Sequence, residues 1–251
     1  MEIIQGIEIT DLSLFIKKKK ILVMSDIHLG IEEEYQKKGV LIPKFHLKDL
    51  VKRFEYVFSK VKPETIIITG DLKHEFGGIS TQEWRDLLRF FDYLSKHSKK
   101  IILLKGNHDP MLGPIAKKRN LEVVKEYQLG DILFIHGDYE PELNKTQSKS
   151  KTSLGPDERS SAREIKTIIM GHEHPAITLR EKAKTEKFKC FLKGKYKGRE
   201  LLVLPSLNLL VEGTDVLQGH FLSPLLKGQN FEVFIVEDKE AYYFGKIRNL
   251  K

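Results

Sequence analysis

Five short apolar runs in this chain each stop at side chains able to hold a metal ion, and that repetition limits the possible folds more than any other feature. Ile21-Leu22-Val23-Met24 leads to Asp26 and His28. Thr65-Ile66-Ile67-Ile68-Thr69 leads to Asp71, and Ile101-Ile102-Leu103-Leu104 to Asn107 and His108. Asp131-Ile132-Leu133-Phe134-Ile135 ends in His136, and Lys166–Met170 ends in His172 and His174. A continuous apolar run of about four to eight residues, bounded by Gly and polar residues, suits a strand buried on both faces. Sheets with parallel strands gather their ligands outside the strand C-termini. A lone strand-end His is more often a structural hydrogen-bonding residue than a ligand. A succession of them implies one site, because so many polar groups at one sheet edge are costly unless an ion compensates them. Asp26 and His28 are two apart, so an extended backbone would point both side chains to the same side.

The ligand set mixes nitrogen and oxygen and has no thiolate. Imidazole with carboxylate suits Mn, Fe, Zn, Co or Ni better than the all-oxygen cages of Ca or Mg. The candidates Asp26, His28, Asp71, Asn107, His136, His172 and His174 are too many for one ion that must also hold substrate. They suit two ions sharing a bridging carboxylate, and a pair about 3.5–4 Å apart forms a clamp for phosphoryl chemistry.

Between these runs the spacing turns helical. From His46 to Lys60, Leu47, Leu50, Val51, Phe54, Val57 and Phe58 recur on one face, and Pro63 closes the segment. Thr81–Lys96 places Trp84, Leu87, Leu88, Phe91 and Leu94 on another apolar face. A short helix near Gly113–Asn120 and a strand near Leu121–Lys125 follow. Residues 1–16 alternate loosely, as an edge strand and turn would. Ile31–Pro43 reads as a loop or short helix placed to shape access to the strand ends. Tyr139–Arg163 is polar and poor in apolar residues, and reads as a mobile surface excursion within a single domain spanning 1–251. The remainder predicts antiparallel strands at Phe188–Leu192, Glu200–Leu204, Phe231–Val236 and Ala241–Ile247. There is no phosphate loop of the G-x-x-x-x-G-K type.

Composition narrows the setting. The 251 residues are enough to bury a sizeable core. No apolar run approaches the roughly 20 residues of a membrane helix, and Glu2, Gln5, Glu8 and Asp11 interrupt any signal-peptide core. No membrane partner is expected. The single Cys190 excludes an intramolecular disulfide and fits a reducing cytoplasm. Lys+Arg exceed Asp+Glu by 43 − 35 = 8, a balance that favours anionic partners such as nucleic acid or nucleotides. A lysine-rich solvated surface explains the same number equally well, since the charge is spread along the chain.

Taken in order, Asp26-Ile27-His28, Gly70-Asp71, Gly106-Asn107-His108-Asp109, His136-Gly137 and Gly171-His172-Glu173-His174 resemble the motifs of the calcineurin-like metallophosphoesterases. The resemblance covers residues 26–174, and the strand-rich tail fits that family's second sheet. Within the family, Gly70-Asp71-Leu72-Lys73-His74 and the stretch Gly171–Ile177 look most like the SbcD-related, ICC-like phosphoesterases of archaea. The resemblance implies an α+β fold, a four-layer α/β/β/α sandwich of two mixed sheets, with two divalent metal ions as cofactors. Manganese is expected first, with iron, zinc, cobalt and nickel as alternatives.

By the same resemblance, Asp26, His28, Asp71 and His174 would hold one ion, and Asp71, Asn107, His136 and His172 the other. A hydroxide between them would attack phosphorus in line. His108 would be the general acid, with Asp109 orienting it, unless Asp109 merely caps a helix that starts at Pro110. His74, three after Asp71, is not a position where the family generally requires a His; it would touch substrate or support the site, or equally be structural. Asp138 departs from the family, in which another His often follows His-Gly. The expected activity is phosphodiester hydrolysis, with DNA, RNA or a nucleotide as partner. A phosphomonoesterase, a cyclic-nucleotide phosphodiesterase and a catalytically silent scaffold are the alternatives. The oligomeric state is left open, a homodimer included.

Overall fold

Strand length and burial sort the chain into two sheets. The computed structural model describes residues 1–74, 79–108, 113–119, 121–143, 163–182, 184–228 and 230–250. Residues 1–16 form three strands rather than one: β1 (Glu2–Ile4), β2 (Ile7–Thr10) and β3 (Ser13–Ile16). Each is only three or four residues long, so each shows at most two alternations, too few to separate by pattern. All three pair antiparallel in sequence order, and β3 joins β4 (Ile21–Met24). From there the ladder turns parallel through β5 (Thr65–Ile68), β6 (Lys100–Leu104) and β7 (Glu122–Val124). The helices of the crossovers cover this seven-stranded sheet.

Those helices are α1 (Ile31–Lys37), α2 (His46–Lys60), α3 (Thr81–Leu94) and α4 (Gly113–Arg119). α2 buries Leu50, Phe54 and Val57. α3 starts at a capping box, where Ser80 and Glu83 bond each other's backbone N–H, and buries Leu87, Phe90, Phe91 and Leu94. It ends at Leu94, two residues before the expected Lys96.

The second sheet has nine strands among the described residues. They are β8 (Glu126–Leu129), β9 (Ile132–Ile135), β10 (Thr167–Met170), β11 (Pro175–Glu181), β12 (Lys184–Tyr196), β13 (Arg199–Val203), β14 (Thr214–Asp215), β15 (Glu232–Glu237) and β16 (Glu240–Lys246). β9, β10 and β13 are parallel neighbours, and β11 and β12 form an antiparallel hairpin. Side chains alternate across this sheet as a period of two requires. Ile132, Phe134, Ile169, Phe191, Leu202 and Phe234 join the large core shared with the first sheet. Their neighbours Leu133, Ile135, Ile168, Met170, Cys190, Leu192, Leu201 and Val203 face the other way, and Val216, Leu225, Leu226 and Ile247 cover them. Val216, Leu225, Leu226 and Ile247 sit in short 3-10 turns.

The fold is therefore a sandwich of two mixed sheets, as expected. Of the excursion expected at 139–163, residues 144–162 lie outside the described residues. No helix among the described residues is long and apolar enough to cross a membrane.

One buried group gives a testable acid response. His46, the first residue of α2, is 3% exposed and neither ring nitrogen has a hydrogen-bond partner. Burial, with the charge of Lys189, pulls its pKa down to about 4. The unfolded chain therefore takes the proton first. The stabilisation is complete above the ordinary value of about 6.5 and is lost as pH falls to about 4. At about 1.4 kcal/mol per pKa unit this is on the order of 3 kcal/mol. His46→Leu should flatten the decline in that window, measured by urea unfolding at pH 7, 5.5 and 4. Parallel declines in both proteins would contradict this.

Candidate metal centre

The C-terminal ends of β4, β5 and β6 in one sheet meet those of β9 and β10 in the other, and the loops that leave them carry the polar side chains. Backbone pairing continues past the strands. Asp26 N donates to Gly70 O at 3.2 Å and His28 N to Asp71 O at 2.9 Å. The loop is not extended, however. Asp26 and His28 adopt φ of 51° and 48°, so they converge by two left-handed turns and not by alternation. Asp71, His172 and His174 are also left-handed, with φ of 45°, 68° and 50°. Such backbone costs about 1–3 kcal/mol per residue and persists where surrounding contacts enforce it.

The side chains fall into two groups that share one carboxylate. Asp26, His28, Asp71 and His174 bring ligand atoms within 4.8 Å of one another, and so do Asp71, His136 and His172. Asn107 Oδ1 joins the second group, 2.9 Å from His136 Nε2. Asp71 spans both: Oδ1 accepts from His108 N at 3.0 Å, while Oδ2 lies 3.5 Å from His136 Nε2 and 3.8 Å from His28 Nε2. His28 Nε2 is 3.3 Å from His174 Nε2.

These residues suit cations by their unsatisfied atoms. Asp26 Oδ2 accepts from Ser25 Oγ at 2.6 Å and His172 N at 2.9 Å. Its Oδ1 is buried with no partner and faces His174 Nε2 at 3.7 Å. His136 Nδ1 lies 2.9 Å from the carbonyl of Thr69. That oxygen only accepts, so Nδ1 carries a proton and Nε2 is the nitrogen that faces inward, a lone pair for a cation once it gives up its own proton. Nε2 then faces Asn107 Oδ1 at 2.9 Å and His172 Nδ1 at 3.1 Å. Nitrogen and oxygen atoms this close together need positive charge at their centre, which a proton on His136 Nε2 or a cation in its place supplies.

The titration behaviour agrees. Burial opposes ionisation of Asp26, yet the His174, His136 and His28 rings hold its carboxyl well below the usual range. Burial also opposes charge on His136, yet the Asp26 and Asp71 carboxylates raise its pKa. Burial pushes Asp71 up. Burial and a neighbouring imidazole pull His28 well down and His172 to about 4, leaving both neutral and free to donate lone pairs at neutral pH.

His108 stands beside both groups. Its Nδ1 faces the carbonyl of His74 at 2.8 Å, an oxygen that only accepts, so Nδ1 donates to it. Its ring is edge-on to His28 at 4.9 Å. His74 lies at the rim, with Nε2 2.5 Å from Glu34 Oε2 and its ring 5.4 Å from that of His28. Asp109 lies outside the described residues. Glu34 lies in the Ile31–Pro43 segment expected to shape access, whereas Ser25, inside the β4 end, carries no signal of its own in the sequence. Cys190 is buried and its thiol pKa is pushed up by desolvation.

The glycine before Asn107 is dictated by packing. A Cβ at Gly106 would sit 2.2 Å from Asp71 Oδ1 and 2.4 Å from Asp71 N. Gly106→Ala should therefore displace Asp71, costing roughly 1–3 kcal/mol, a Tm drop on the order of 5 °C for a chain of this length. Thermal melts with elemental analysis check it. An unshifted Tm with full metal content would contradict the clash.

A family model described as calcineurin-like phosphoesterase matches residues 19–211. The nuclease MPE from Pseudomonas putida is similar in structure at 18% identity, covering 93% of this chain and 92% of that one with a TM-score of 0.60. Yfce, a phosphoesterase from E. coli, is similar at 13% identity over 90% of this chain and 97% of that one, with a TM-score of 0.38. No curated protein matches the chain by sequence. At its level of identity the nuclease shares the fold.

Proposed function

Because the chain belongs to the calcineurin-like phosphoesterase family, we propose that it is a phosphodiesterase that works with two divalent cations on nucleic acid or nucleotides. The observation that carries this reading is Asp71, whose carboxylate belongs to both ligand groups. Asp26, His28, Asp71 and His174 would hold one cation, and Asp71, Asn107, His136 and His172 the other. When bound, such a pair makes water nucleophilic near neutral pH and screens the phosphoryl oxygens.

The chain's own residues do the rest. Thr69 O fixes His136 in the tautomer that turns Nε2 inward. Ser25 Oγ and His172 N hold Asp26 Oδ2, so that Oδ1 faces the centre. His74 O orients His108, whose Nε2 would deliver a proton to the leaving oxygen. His74, paired with Glu34 at the rim, would touch substrate or support the site. The positive balance of 8 supports an anionic polymer or nucleotide. The motif likeness to SbcD-related phosphoesterases points the same way, and the single buried cysteine suits a cytoplasmic setting.

Elemental analysis of Mn-loaded protein, together with turnover of bis-p-nitrophenyl phosphate against p-nitrophenyl phosphate, tests the proposal. Two ions per chain and faster diester cleavage are expected. One ion per chain would refute the shared-carboxylate centre, monoester preference would favour a phosphomonoesterase, and no turnover would favour a scaffold.

A further inference from the structure

A lysine from the second sheet reaches the same loop from behind. Lys189 in β12 donates through Nζ to Ser206 O at 2.9 Å and to Asn208 O at 2.8 Å. The segment it clamps is bonded to the β4 end at two points. Ser206 Oγ donates to Asp26 O at 2.6 Å, and Leu207 N donates to Ser25 O at 3.0 Å. Asn208 N donates back to Ser206 Oγ at 3.0 Å, so that hydroxyl is held in one orientation. Ser206, Asn208, Ser25 and Asp26 are all buried. Asp26, at the end of this chain of bonds, has the left-handed backbone that the site requires. Half-buried Lys189 has its amine drawn out of water, and burial together with the Arg53 charge lowers its pKa to about 7. Taking the ammonium out of water costs free energy, and the bonds to the two main-chain carbonyls offset it, so the amine and the segment hold each other in place.

We propose that Lys189 is a positioning residue for the metal centre, clamping the Ser206–Asn208 segment so that it holds Asp26 in its strained turn. The proposal rests on the reading of Asp26 as a ligand. Lys189 touches neither substrate nor ion. It acts through the Ser206–Asn208 segment, chiefly the Ser206 hydroxyl, and it sets how well one of the two ligand groups is formed before any cation arrives.

The test is calorimetric titration of the full chain with Mn²⁺, beside thermal melts of the metal-free protein, for wild type, K189M, K189Q, S206A and K189M/S206A. K189M and S206A should each weaken one Mn²⁺ step by about 10-fold or more, as loss of a partner behind a ligand does, and leave the other step near wild type. The double variant should be little worse than either single one, because both act through one strap. K189Q, which still offers N–H donors, should recover part of the affinity. A lysine with a merely structural role would lower Tm and leave both steps unchanged, and that result overturns the proposal, as does full additivity. Should K189M fail to fold, weakened binding in S206A and K189Q supports the proposal and wild-type binding in both overturns it. Wild-type protein that binds no Mn²⁺ removes Asp26 as a ligand and the proposal with it.

Discussion

Asp71→Asn should strip the protein of both cations and reduce phosphodiester cleavage to background. Asp71 Oδ2 faces His28 of one ligand group and His136 of the other, so one substitution removes negative charge from both. The affinity loss should exceed the roughly 10- to 100-fold that residues behind a ligand command. Folding should not suffer. Burial raises the Asp71 pKa, so its charge is a cost to the metal-free fold, and Asn keeps the Oδ1 that accepts from His108 N. Metal-free Asp71→Asn should therefore melt no lower than the metal-free parent. Elemental analysis, turnover and thermal melts read the three effects apart. Retention of one tightly bound ion would show that the carboxylate serves a single group.

His108→Asn should give the opposite profile, with metal content near that of the parent and turnover down by roughly 10²–10⁴-fold, the usual worth of a positioned acid. The backbone N–H of His108, which supports Asp71, survives the substitution. The imidazole that His74 O orients does not. The defect should deepen with leaving groups of high basicity, because a nitrophenolate departs with little need of a proton and a ribose alkoxide does not. Turnover of bis-p-nitrophenyl phosphate and of a dinucleotide by the same variant separates these cases. An equal defect on both substrates would argue against proton delivery, and loss of metal would make His108 a ligand.

The strand-end rule made much of this legible. Apolar runs ending at Asp26, Asp71, Asn107, His136 and His172 marked β4, β5, β6, β9 and β10, because burial on both faces leaves a run that no loop imitates. α2 runs over His46–Lys60 as its spacing predicts. The three opening strands were harder to resolve, since three or four residues carry too little periodicity. β11 starts directly after His174 at Pro175, and its opening Pro175-Ala176 does not read as a strand start without the partner β12.

Local chemistry along the chain was enough to name the elements and the inventory of ligand types, because apolar periodicity and strand-end polarity are written within a few neighbouring residues. Which atoms would meet was decided by long-range pairing. Asp26 and His28 converge because left-handed turns are held against the β5 loop, not because a strand alternates. Ser206 reaches Asp26 across 180 residues of sequence, and Lys189 reaches it through the Ser206–Asn208 segment. Such contacts depend on two sheets closing on each other, and no short stretch of sequence encodes that closure.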